Sequence, residues 1–219
     1  MIYKIAVDGP AGSGKSSLSK VIAANNNILF FSSGIFYRAC AFILNGTDIN
    51  DTQKIKSMLE SHVLKFQDDF LIMDGEKMNQ LLFTNEISTL ASTYSSVPFV
   101  REYVNNILRS IAKDKSVILE GRDIGTVVFK DAELKFYLKA SVLERARRRQ
   151  KDLEKTSEKS NLLYLAKEII KRDWRDKHRK MDPLKKAKDA IVISTRNKTL
   201  LDVTSEVQIR INEFLKCKK

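Results

Sequence analysis

Gly9-Pro10-Ala11-Gly12-Ser13-Gly14-Lys15-Ser16 is a G-x-x-x-x-G-K-S run, and its setting decides how the rest of this chain is read. The apolar Ile5-Ala6-Val7 before it reads as a short buried strand. Leu18, Val21, Ile22 and Ala23 after it are spaced as the inner face of a helix. Between a strand and a helix, glycines let consecutive backbone N–H groups converge on phosphate oxygens, and the helix N-terminus adds partial positive charge. Gly9, Pro10, Ala11, Gly12, Ser13, Gly14, Lys15, Ser16 and Ser17 are thus the expected contacts of a purine nucleoside triphosphate such as ATP. Lys15 is placed to reach the β- and γ-phosphates, and the Ser16 hydroxyl to ligate the Mg²⁺ that bridges them.

Outward from this loop, apolar strands are expected at 2–8, 28–31, 117–119, 134–138 and 190–193. Helical periodicity runs over 15–25, 34–44, 98–113, 141–154, 161–179 and 203–216. Strands alternating with helices imply a parallel sheet covered on both faces, an α/β three-layer P-loop NTPase architecture. Residues 62–83 break the rhythm, reading as three short strands, the last over 77–83, joined by turns at Gln67-Asp68-Asp69 and Asp74-Gly75-Glu76. Such a meander is an antiparallel insert beside the main sheet or an ordinary surface hairpin.

At 219 residues the chain suffices for one large domain carrying a small insert. Six of its 8 glycines (Gly9, Gly12, Gly14, Gly34, Gly121 and Gly125) fall in segments that carry chemistry, which points to close backbone approach to ligands. No apolar run reaches the roughly 18 residues of a membrane span, and no leader is legible, so the protein is expected to be soluble and cytoplasmic. Cys40, Cys217, His62 and His178 are too scattered for a disulfide framework, a zinc site or a triad. The net charge of +12 asks for an anionic partner or a solvated basic surface. Nucleic acid is one candidate, but no aromatic platform interleaves with the basic residues, whose arginines gather at 145–149 and 172–179. Two phosphorylated small molecules in one cleft need such a cluster too.

Four segments select a chemistry. Ser32-Ser33-Gly34-Ile35-Phe36-Tyr37-Arg38 opens a helix and reads either as a phosphate-holding turn or as a cap with a surface arginine. Glu120-Gly121-Arg122-Asp123-Ile124-Gly125-Thr126 follows a strand, where an open parallel sheet faces its ligand, and two glycines flank its charged pair as in a binding turn. Arg172, Asp176 and Arg179 share a helix face at i, i+4 and i+7, a fork for phosphate and sugar hydroxyls or an exposed salt-bridge ladder. Arg145, Arg148 and Arg149 share a face of the helix from 141, and the polar 154–160 stretch joins it to the next helix. That pair is a closing lid whose arginines meet a transferring phosphoryl group, or a basic surface hairpin.

Taken together, these segments resemble the bacterial cytidylate kinase family along nearly the whole chain. The most specific run is Gly121-Arg122-Asp123-Ile124-Gly125-Thr126-Val127-Val128-Phe129. The resemblance implies transfer of the γ-phosphate of ATP to CMP or dCMP with Mg²⁺ by a monomer; with no aromatic platform and no membrane-length apolar run, neither nucleic acid nor membrane is expected as a partner. It implies one domain, with a core at about 1–50, 98–150 and 180–219, an acceptor-binding three-stranded insert at about 54–92 and a short lid at about 145–175. The acceptor set it implies is Ser33, Arg38, Ser92, Arg101, Arg122, Asp123, Arg172, Asp176 and Arg179. Within that set Ser92, Arg101 and Asp123 read cytosine, Arg38, Arg122 and Arg179 grip phosphate, and Asp176 receives the sugar. Lys15, Arg122, Asp123, Arg145, Arg149 and Arg179 are the expected catalytic residues. Two departures stand out: Phe83 replaces the insert's usual arginine, and Ser194-Thr195-Arg196 replaces an Asp-Thr or Asp-Ser pair near the adenine end. The rival readings are a kinase for UMP or another monophosphate and a basic P-loop ATPase that binds nucleic acid.

Overall fold

The computed structural model describes residues 1–67, 69–78, 80–154 and 161–218. The chain forms two compact units, one of Met1 with residues 3–30 and 116–219, the other of Ile2 with residues 31–115. A five-stranded sheet has the order β2 (Leu29–Ser32), β6 (Val117–Gly121), β1 (Lys4–Asp8), β7 (Leu134–Lys139), β8 (Ile191–Ser194). The pairings of β1 with β6 and β7, and of β7 with β8, are parallel, and the register sets Asp8 opposite Gly121 and Tyr137. Helices flank the sheet, as the alternating pattern predicts.

In the first unit, Ile5, Val7, Ile118, Phe136, Leu138 and Ile193 pack against Leu18 and Ile22 of α1 (Lys15–Asn26) and Val203, Val207 and Ile211 of α8 (Leu200–Cys217). Burying such a side chain contributes roughly 1.5–3 kcal/mol each, so this face anchors β1 and the glycine loop that leaves it. Helix α8 begins three residues before the periodicity suggests. Thr199 Oγ1 accepts from Asp202 N–H while the Asp202 carboxylate accepts from Thr199 N–H, a capping box that starts the helix early. Between α6 (Val142–Glu154) and α7 (Leu162–His178), Ala146, Leu153, Leu165 and Ile169 form a small separate core. Part of the expected 154–160 connection, residues 155–160, lies outside the described residues.

The second unit is built on α2 (Ser33–Ile43), α3 (Thr52–Glu60), α4 (Asn85–Tyr94) and α5 (Pro98–Ile111), with Phe36, Ile55, Leu59, Val100, Val104 and Leu108 fully buried. Its antiparallel sheet pairs β3 (Leu64–Gln67) with β4 (Phe70–Met73), and β4 with β5 (Glu76–Lys77). Asp74 and Gly75 both have positive φ, which is what a tight hairpin turn demands. Asp68, part of the other expected turn, lies outside the described residues. The third strand does not run over 77–83. After Met78 N–H bonds Leu71 O at 2.8 Å, residues Gln80–Phe83 wind into a 3-10 turn. That turn delivers Thr84 to the start of α4, where its hydroxyl accepts from Ile87 N–H.

Candidate functional site

The glycine loop takes the shape its composition requires: Gly9, Gly12 and Gly14 have φ of 149°, 71° and 90°. Ser13 Oγ donates to Pro10 O, bracing the loop from within. Lys15 also turns back, its Nζ donating to Pro10 O at 2.9 Å, and it is buried. Burial, followed by the charges of Arg122 and Arg172, lowers its pKa to about 7. An anion held at the loop would supply a counter-charge to this ammonium. Ser16 Oγ donates to Glu120 Oε1 at 2.6 Å, from the first turn of α1 to the end of β6. A hydroxyl and a carboxylate are hard oxygen donors and fit Mg²⁺. Sequence reading named Ser16 but missed Glu120; the signal was an acidic residue ending the strand next to the loop.

Arg122 and Asp123 leave β6 and meet α7. Arg122 Nε donates to Asp176 Oδ2 at 2.9 Å, and Arg179 donates to Asp123 Oδ1 at 2.9 Å, with its other terminal nitrogen 3.9 Å from Asp176. Against the effect of its burial, Arg122, Arg172 and Arg179 hold the Asp176 carboxyl below the usual carboxylate range. Arg122, Asp123, Arg172, Asp176 and Arg179 thus belong to one electrostatic network beside Lys15. One detail corrects the sequence reading: α7 ends at His178, and Arg179 caps it with extended backbone (φ −61°, ψ 141°). Arg179 Nε donates to Asp182 O at 2.7 Å, fixing the guanidinium from the chain beyond the helix.

On α6 the three arginines part company. Arg145 is buried, bonded to Ala11 O of the loop at 3.0 Å and to Asp173 of α7 at 2.7 Å. Arg148 donates to Thr195 Oγ1 and Thr195 O, while Thr195 Oγ1 reaches Ser13 O. Arg149 is exposed. The unusual Ser194-Thr195-Arg196 segment therefore sets a buried threonine against the loop, with Arg148 as its clamp. Arg148, read from sequence as one of the lid arginines but not among the expected catalytic residues, is told apart from its neighbours only by these partners.

The other predicted acceptor residues lie in the second unit. Ser33 and Ser92 are buried, and Arg101 is fully so, its Nη1 on Ser95 O at 3.1 Å and its guanidinium 5.5 Å from the Tyr37 ring centroid. Arg38 donates to Leu82 O at 2.9 Å and Ser88 Oγ at 2.7 Å, and lies 5.3 Å from the Phe83 ring. Phe83, where the resemblance leads one to expect arginine, is exposed and supports Arg38 by a cation–π contact instead.

A family model described as "Cytidylate kinase" matches residues 5–213. A protein named "Cytidylate kinase" from Clostridium perfringens is 40% identical over 208 residues, covering 94% of this chain and 96% of that one. One of the same name from Thermosipho melanesiensis is 38% identical over 218 residues and covers 100% of both chains. Among solved structures, a shikimate kinase from Bacteroides thetaiotaomicron shares the fold with a TM-score of 0.52 at 13% identity, over 97% of this chain and 99% of that one. No helix among the described residues is long and apolar enough to cross a membrane. Since the family match runs from the first strand into the last helix, the chain belongs to the cytidylate kinase family.

Proposed function

We propose that this protein transfers the γ-phosphate of ATP to CMP or dCMP, giving ADP and CDP or dCDP. The observation that carries the reading is the paired network of Arg122, Asp123, Asp176 and Arg179 in the same compact unit as the phosphate loop. One anion site serves a donor triphosphate; a second group of oriented guanidiniums and carboxylates serves a phosphorylated, hydroxyl-bearing acceptor.

Ser16 would hold Mg²⁺ through its hydroxyl, with Glu120 beside it. When bound, the metal neutralises charge on the β- and γ-phosphates. Residues Gly9 to Ser17 cradle the donor, and Lys15 follows the charge of the γ-phosphate. Arg122 and Arg179, with Arg38, orient the acceptor phosphate, whose oxygen attacks in line. The nucleophile is already anionic, so no general base is required. Arg145, tied to the loop through Ala11, and Arg149 are assigned to charge on the transferring group. Asp123 with Ser92 and Arg101 reads cytosine, while Asp176 with Arg172 takes the sugar. The insert at about 54–92 serves the acceptor, and the segment at about 145–175 is the lid.

The test is to mix the purified protein with Mg·ATP and each of CMP, dCMP, UMP, AMP and GMP and to measure ADP against a control without acceptor. Turnover mainly with CMP and dCMP is expected. ADP release indifferent to the monophosphate would overturn the reading.

A further inference from the structure

Asp8 ends β1 one residue before the glycine loop, and nothing in the mechanism above uses it. Its carboxylate is buried, and both oxygens accept backbone N–H groups of the turn after β6: Oδ1 from Ile124 and Oδ2 from Gly125, each at 2.8 Å. That turn, Ile124–Val128, is a single π-helical turn whose N-cap is Asp123. An N-cap aspartate ordinarily spends its own carboxylate on the first N–H groups of its helix. Asp123 makes no such bond, and its Oδ1 accepts from Arg179 instead. Asp8 therefore caps the turn from a neighbouring strand, and Asp123 is turned toward the arginine.

Packing supports the assignment. A Cβ added at Gly125 would crowd Lys135 Cδ at 3.1 Å and touch Asp8 Oδ2 at 3.4 Å, so both side chains pack closely on this glycine. Lys135 is held over that glycine by its own bonds to Lys130 O and Asp189 Oδ2. The pairing of Asp8 with Gly121 fixes how far its side chain must reach.

We infer that Asp8 is a positioning residue for the acceptor: by capping the Ile124–Val128 turn in place of Asp123, it sets the Asp123 carboxylate where Arg179 and the acceptor base meet it. The inference rests on the reading of Asp123 as an acceptor contact. Asp8→Asn keeps the shape but offers only one acceptor oxygen and aims an N–H group at a backbone N–H. The expected result is a CMP KM raised about 10-fold with the ATP KM changed less than two-fold. The double variant Asp8→Asn/Asp123→Asn should have a CMP KM no higher than that of Asp123→Asn alone, because both remove the same contact. Equal rises in both KM values, or effects that multiply in the double variant, would overturn the inference and leave Asp8 a general support of the fold. An unchanged CMP KM in Asp123→Asn overturns the acceptor reading of Asp123 itself, and with it this route. Should Asp8→Asn fail to fold, Asp8→Ser, whose shorter side chain withdraws the carboxylate from the turn, must show the same selective rise in CMP KM; a rise shared with ATP overturns the inference there too.

Discussion

Lys15→Met is expected to lower kcat by about 10³-fold while the protein stays folded, because on the proposed reading the variant removes the cation assigned to the γ-phosphate and leaves the loop's backbone donors in place. The same substitution should raise Tm in the absence of nucleotide. In the folded protein the lysine pKa is lowered to about 7, against an ordinary value of 10.5, so below pH 7 the fold must carry a buried charge that the unfolded chain carries in water. That cost is full below pH 7 and fades as the pH rises toward 10.5. The Tm gain of Lys15→Met over the parent should therefore be larger at pH 6 than at pH 9. Turnover assays with Mg·ATP and CMP, alongside thermal scans at both pH values, check the two halves. Near-normal activity would refute the role of Lys15.

Gly9→Ala should act on the fold. At φ 149° the residue lies where side chains are rarely tolerated, and a Cβ there would stand 2.5 Å from Leu138 O, a backbone atom of the adjacent β7 that cannot move alone. The expected loss is roughly 3 kcal/mol or more, enough to lower Tm by about 6 °C or more. Gly46→Ala is the control: its φ is 78°, but nothing lies within 4 Å of the added carbon, so only backbone strain is felt. A cost of about 1 kcal/mol there, measured by denaturant unfolding, isolates the clash at Gly9. Equal losses at the two positions would show that crowding against β7 is not the cause.

The sheet was legible because strands buried on both faces are written as apolar runs, and Ile5-Ala6-Val7 and Val117-Ile118-Leu119 can hardly be anything else. Helix α4 was not, because Asn85-Glu86-Ile87-Ser88-Thr89-Leu90-Ala91-Ser92-Thr93-Tyr94 is rich in residues that favour caps and turns. Tertiary contacts hold it: the Tyr94 hydroxyl lies 2.6 Å from both Leu44 O and Thr47 O and shares its one proton between them. Helix α3 hides similarly, carrying only Ile55 and Leu59 inward behind an Asp51 cap. In the first unit, sequence named the arginines and carboxylates of the network but not their pairing. Spacing along α7 put Arg172, Asp176 and Arg179 together, whereas the bond from Arg179 to Asp123 spans 56 positions and exists only after folding. Asp8 and Glu120 were in plain view inside recognised motifs. Their partners are backbone N–H groups and a hydroxyl brought in from other segments, which no periodicity announces.

Arg122 and Arg179 each hold a carboxylate, Asp176 and Asp123, so on the proposed reading a phosphate brought to them would share donors already in use. Binding there would set one anion beside another, and its net yield would be the difference between strong attractions rather than the whole of one. A bare guanidinium pocket would seize any phosphate and hold the diphosphate product as firmly as the substrate. With Asp123 and Asp176 keeping their claim on those arginines, such a site would hold the product less firmly than bare cations would, which suits a catalyst that has to empty itself on every cycle.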